Sequence, residues 1–158
     1  MKRHSGVWLT AEVLGADTGL AHRQEVRGTM AVETKQGVAI AAVREAFNLH
    51  NPESGRLDAN KARKLFDLSQ QRIAVLLGEA PQTLDKAPDA SSLQAGLILF
   101  DRIASALFSL VGSREGLRIW MNAGNAQLDG KTPTELLLEG HGEAVADLLE
   151  AMLAGQPG

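Results

Sequence analysis

The segment from Leu93 to Val111 constrains the fold of this chain more than any other. It carries Leu93, Leu97, Ile98, Leu99, Phe100, Ile103, Ala104, Leu107, Phe108, Leu110 and Val111. These residues cover too much of a helix circumference for a one-sided surface helix. The segment is therefore expected to be a central helix, packed on two sides or against a second copy of the chain. No apolar run reaches the roughly 18 residues of a membrane span.

The remaining sequence points to an all-α fold, a bundle of about seven or eight short helices. Aromatic residues make up 4% of the 158 residues and tyrosine is absent, which disfavours a β-sandwich or barrel. There is no cysteine, so disulfides, Cys-ligated zinc and a thiol nucleophile are excluded. His4, His22, His50 and His141 are scattered, and no metal site or cofactor is expected. No serine elbow and no glycine-rich phosphate loop occurs, and His141 between two glycines reads as a loop residue rather than a catalytic base. An enzyme is not expected. The start, Met1 to Val13, lacks the long apolar stretch of a signal peptide, which points to the cytoplasm.

Local signals divide the chain. Residues 1 to about 30 lack periodicity and read as a mobile arm, followed by a helical pattern from Val32 that Asn51-Pro52 stops. Asp58 can cap a helix to about Phe66, Ser69 a helix from Gln70 to Leu77 that ends at Gly78, and Pro81 can start one that reaches Lys86. After the central helix come a short helix, Arg114 to Met121, and a loop, Asn122 to Lys131. Gly116 lies inside that helix at a cost of about 1 kcal/mol against alanine. Thr132-Pro133-Thr134-Glu135 is a capping box for a helix ending at Gly140, and Glu143 to Leu153 form the last helix. The charge is uneven. Up to Ser92 there are 12 basic and 11 acidic residues, and from Leu93 onward 4 basic and 8 acidic.

Ala74, Gly78 and Leu84 fall at positions 5, 9 and 15 of a helix-turn-helix unit that begins at Gln70. The small alanine lets two helices approach, the glycine permits the turn, and the leucine locks the second helix on the first, with Ile73 and Leu77 completing the inner face. The second helix would offer Gln82, Thr83 and Lys86 to a major groove, with Arg72 placed for phosphates. The acidic Asp85 and the brevity of that helix argue against DNA binding, and a small trihelical core has the same spacing.

The C-terminal third contains W-x4-N-x2-L-x-G-x-T-P-x-E-L-L, then G-x4-V-x2-L-L. Trp120 can anchor a loop in which Asn125 satisfies backbone groups and Gly130 takes a positive φ. This ordered set resembles the antitoxins of the Xre/MbcA/ParS type. The matching residues are Trp120, Asn125, Leu128, Gly130, Thr132, Pro133, Glu135, Leu136, Leu137, Gly140, Val145, Leu148 and Leu149. The likeness covers roughly Asp58 to Leu153, with the helix-turn-helix where that family keeps its Xre-like region. Gly116, Met121 and Gly124 depart from the family pattern.

Three parts are expected: an N-terminal arm and helix over residues 1–51, which has no counterpart in that family, and, as the resemblance implies, an Xre-like helix-turn-helix region over 52–92 and a central helix with a toxin-binding domain over 93–158. The resemblance implies an antitoxin that neutralises a RES-domain toxin, one that degrades NAD or transfers ADP-ribose, by blocking the toxin's NAD pocket. It also implies autorepression of the operon by DNA binding. The toxin-facing residues would be Trp120, Asn125, Gly130, Thr132, Pro133, Glu143, Met152, Leu153, Gln156 and Gly158. Glu139, Glu143, Asp147 and Glu150 would give this face its negative charge. Met152 and Leu153 can plug a cleft and the slim tail can thread into it; the opposing possibility is that both pack back on the antitoxin's own core. The expected assembly is a homodimer within a hetero-oligomer with the toxin. The alternative is a helix-turn-helix regulator whose C-terminal region only dimerises.

Overall fold

A computed structural model describes residues 37–155 of the chain. The chain divides into two units, Met1–Ala42 and Val43–Gly158. Of the first, residues 37–42 are described, and they are helical and exposed. The arm expected over residues 1 to about 30, and the beginning of the helical pattern at Val32, lie outside the described residues.

The fold is an all-α bundle. Helix α1 covers residues 37–47, and α2 (Ala59–Leu65), α3 (Gln70–Leu77), α4 (Pro81–Lys86), α5 (Gln94–Val111), α6 (Arg114–Asn122), α7 (Pro133–Leu138) and α8 (Gly142–Leu153) follow. Short 3-10 turns at Ser91–Leu93 and Ala126–Leu128 lead into α5 and precede α7. Among the described residues there is no strand, and His50 and Leu57 form an isolated antiparallel bridge.

The helices begin and end where short polar side chains and glycines dictate. The Asp58 carboxylate accepts from the amides of Asn60 at 2.7 Å and Lys61 at 3.1 Å, holding the start of α2. Ser69 Oγ accepts from the Arg72 amide at 3.2 Å at the start of α3. At the other end of α3, Gly78 takes φ +68°, and the Gly78 and Glu79 amides donate to the carbonyls of Val75 and Ala74. This is a Schellman closure, which needs a left-handed residue at the glycine position.

The central helix is packed on more than one side. α5 lies most extensively against α8 and also contacts α2, α3 and α6. Leu97, Ile103, Ala104 and Leu107 are fully buried. Phe108 meets Phe47 edge-to-face with ring centroids 5.5 Å apart, and Phe100 meets Phe66 at 5.4 Å. At its start, the Gln94 amide acts as a surrogate backbone group: it accepts from the Leu57 amide and donates to the Leu57 carbonyl, both at 2.9 Å.

Contrary to the expectation drawn from apolar runs, one helix among the described residues is long and apolar enough to cross a membrane. Averaged over a window, Ser91–Val111 reaches a mean hydropathy of 1.4 and has the length of a span. Packing against α2, α3, α6 and α8 accounts for the apolar residues on those sides of α5, whereas Ile98 on the same helix stays 53% exposed.

Candidate functional site

Three groups of residues singled out in the sequence occupy three distinct places. The first is the loop between α6 and α8, where the motif residues mostly satisfy one another. Trp120 is half-buried against the core. The Asn125 side chain accepts from the Gln127 amide at 2.9 Å, and its carbonyl accepts from Leu128 at 3.0 Å and Gly130 at 2.9 Å. Asp129 and Gly130 are both left-handed, with φ of +56° and +79°, which turns the chain back toward α7.

Thr132 Oγ1 then accepts from the Glu135 amide at 3.1 Å, while the Glu135 carboxylate accepts from the Thr132 amide at 2.8 Å, completing the capping box. Those bonds, first the Thr132 amide and then its hydroxyl, hold the Glu135 carboxyl below the usual carboxylate range. Pro133 is fully buried. Thr134 Oγ1 donates to the Met121 carbonyl at 2.8 Å and ties α7 to the end of α6. Asn125, Gly130, Thr132 and Pro133 thus act on the fold directly, setting where α7 and α8 lie.

The second place is α8. Val145, Ala146 and Leu149 are buried, whereas Met152 and Leu153 at its end remain 41% and 46% exposed. Neither packs back fully on the core. Glu143 is exposed in the first turn. Gln156 and Gly158 lie outside the described residues.

Arg102 on α5, which the sequence reading did not single out, reaches three carboxylates of α8. It meets Glu143 at 2.6 Å, Glu150 at 2.9 Å and Asp147 at 3.4 Å. The hydrogen bonds to Glu143 and Glu150 raise its already high pKa. Lys131 pairs with Glu139 at 2.7 Å. The negative charge expected to face a partner is therefore partly matched within the chain. A carboxylate triplet at spacings of four and three on one helix face is a sequence signal for such a cation.

The third place is the α3–α4 unit. Ile73, Ala74 and Leu84 are buried between the helices. Gln70 Nε2 donates to the Pro81 carbonyl at 2.9 Å, bracing the two helix starts against each other. Arg72, Gln82 and Lys86 are exposed and Thr83 is half-buried, with the exposed Asp85 on the same short helix. Among the described residues, no group of three or more His, Asp or Glu residues is placed to hold a metal ion.

The model of the antitoxin Xre/MbcA/ParS C-terminal toxin-binding domain family matches residues 106–155. That segment of the chain is similar to this domain family. No curated protein matches the chain. Among solved structures, a chain of the M. tuberculosis MbcT–MbcA toxin–antitoxin complex is similar at 22% identity and a TM-score of 0.45, covering 61% of this chain and 91% of its own.

The matched segment takes in the second part of α5, the loop with Trp120 and Asn125, and all of α6 to α8. Its last described residues include the exposed pair Met152 and Leu153. The Arg102 that grips its last helix stands one turn before the matched segment.

Proposed function

We propose that this chain is a cytoplasmic antitoxin that neutralises a RES-domain toxin, one that consumes NAD or transfers ADP-ribose from it, by seating its C-terminal end in the toxin's NAD pocket. The observation that carries this reading is the exposed apolar pair Met152 and Leu153, left unburied at the end of a toxin-binding domain whose other large apolar residues on α8 face inward. Burial of a Leu or Met side chain is worth about 1.5–3 kcal/mol when it starts fully exposed. Those two residues would supply the apolar groups for such a cleft, and the sequence Gly155-Gln156-Pro157-Gly158 beyond Ala154 is slim enough to enter it. In this reading the chain inhibits an enzyme and is not one.

The same chain would repress its own operon through α3 and α4, with Gln82, Thr83 and Lys86 toward the major groove and Arg72 toward phosphates. A six-residue second helix offers few contacts, so a dimer on two half-sites is part of the proposal. The alternative, a regulator whose C-terminal region only dimerises, shares this unit but needs no exposed pair at the end of α8.

The test is removal of residues from Met152 onward, with coexpression of the toxin encoded in the adjoining reading frame. The truncated protein should keep its helical circular dichroism and lose growth rescue. Full protection by the truncated protein would sink the proposal, and absence of an adjoining RES-domain gene would favour the alternative.

A further inference from the structure

The Arg102 cluster joins two helices that are far apart in sequence, and its arrangement answers a specific electrostatic problem. Glu143, Asp147 and Glu150 lie on one face of α8, at spacings where like charges disfavour a helix. Glu143 sits in the first turn, where the helix dipole favours an anion. Glu150 sits near the other end, where the dipole opposes it, and the last turn of α8 contains no basic residue. The far end of α8 therefore has a charge defect that nothing on the helix itself offsets.

Arg102 supplies the missing cation from α5. Its Nε and Nη2 both reach Glu150 Oε1 at 2.9 Å, while Nη1 reaches Glu143 at 2.6 Å and Nη2 reaches Asp147 at 3.4 Å. A guanidinium can meet several carboxylates at once because its donors fan out in a plane; a lysine ammonium is a single point on a flexible stem. The guanidinium side chain is about one-third exposed, so the cluster is held at the surface seam between α5 and α8. Two residues beyond Glu150 the exposed pair Met152–Leu153 begins.

We propose that Arg102 is a positioning residue for toxin binding: by offsetting the carboxylates of α8 it keeps the last turn of that helix formed and so fixes the direction in which Met152 and Leu153 are presented. This rests on the reading that those two residues engage the toxin. Arg102 itself touches no toxin in this account. Its contribution passes entirely through α8.

Amide hydrogen exchange on the unbound antitoxin tests the first half without reference to the toxin. In Arg102→Met, amides 149–154 should exchange at least tenfold faster, while those of α5 around Ile103 and Leu107 should not change. Adding Asp147→Asn and Glu150→Gln to Arg102→Met should restore the protection, because the repulsion that Arg102 offsets is then gone. Arg102→Lys should fall between the two. If Arg102→Met leaves amides 149–154 unchanged, or if the added neutral residues fail to restore them, the electrostatic role is overturned.

The second half is read as affinity for the toxin encoded by the adjoining gene. Arg102→Met should weaken it about tenfold or more, and Arg102→Lys by less. Faster exchange at unchanged affinity would overturn the positioning role. Failure of the underlying reading has a different signature: truncation from Met152 would then also leave toxin binding intact.

Discussion

Thr132 and Glu135 show how much of the C-terminal helical region hangs on two side chains. The threonine hydroxyl holds the Glu135 amide at 3.1 Å and the carboxylate returns to the Thr132 amide at 2.8 Å, so one tetrapeptide satisfies two of the orphan donors at the start of α7. Removing a cap of this type costs about 0.5–2 kcal/mol, and Thr132→Ala should lower the urea midpoint accordingly without changing the slope. The pH dependence has a definite sign. The Thr132 amide and hydroxyl hold the folded Glu135 carboxyl below its ordinary range, so the folded state binds fewer protons than the unfolded state in that region. The stabilisation is complete above the usual glutamate range and is lost as pH falls through the folded value. Urea titrations at a series of pH values should show this loss as pH falls below the ordinary glutamate range, and Glu135→Gln should flatten that part of the profile. An unchanged profile in the glutamine variant would show that the acid loss comes from other carboxylates.

At the scale of the element, helix ends were legible in the sequence because the signals that set them are local. Asp58, Ser69, Gly78, Pro81 and Thr132 all sit at the helix boundaries they announce, since a cap acts within three residues. What each face packs against was not legible, because that is decided across tens of residues. Arg102 and its three carboxylates are separated by 41 to 48 positions. Likewise, the motif around Trp120 and Asn125 was legible as a motif, but not that Pro133 would be buried and Thr134 would bond to Met121. Gly116 is the instructive case. Propensity alone makes it a defect in α6, worth about 1 kcal/mol to repair with alanine. In the structure a Cβ at this position would stand 2.9 Å from Val111 Cβ and 2.9 Å from Ser113 Oγ, the hydroxyl that accepts the Gly116 amide at 3.0 Å. Gly116→Ala should therefore lower the thermal midpoint, opposite in sign to the propensity rule, and a rise would mean that the cap can shift without cost.

At the scale of the whole molecule, the helices from α2 to α8 draw on one hydrophobic core, with Ile73 and Leu84 of the α3–α4 unit in the same cluster as Leu107 of α5 and Leu149 of α8. A chain built this way cannot lose packing in one place and keep full stability in another. Leu107→Ala, at a fully buried position, removes transfer energy and leaves a cavity, a loss of about 2–5 kcal/mol. The proposed operator binding and toxin neutralisation should then fall together as temperature rises, in a single unfolding transition. Exposed residues obey a different rule, because their truncation leaves the shared core untouched. Gln82→Ala with Lys86→Ala, both on the exposed side of α4, should weaken operator binding while toxin neutralisation and the thermal midpoint hold. The lysine change alone should reduce the steepness with which salt weakens operator binding by about one phosphate contact. Binding titrations across a salt series, run beside growth rescue by the same variant, separate the two surfaces. A double variant that loses both activities at an unchanged midpoint would mean that α4 also belongs to the toxin-binding surface.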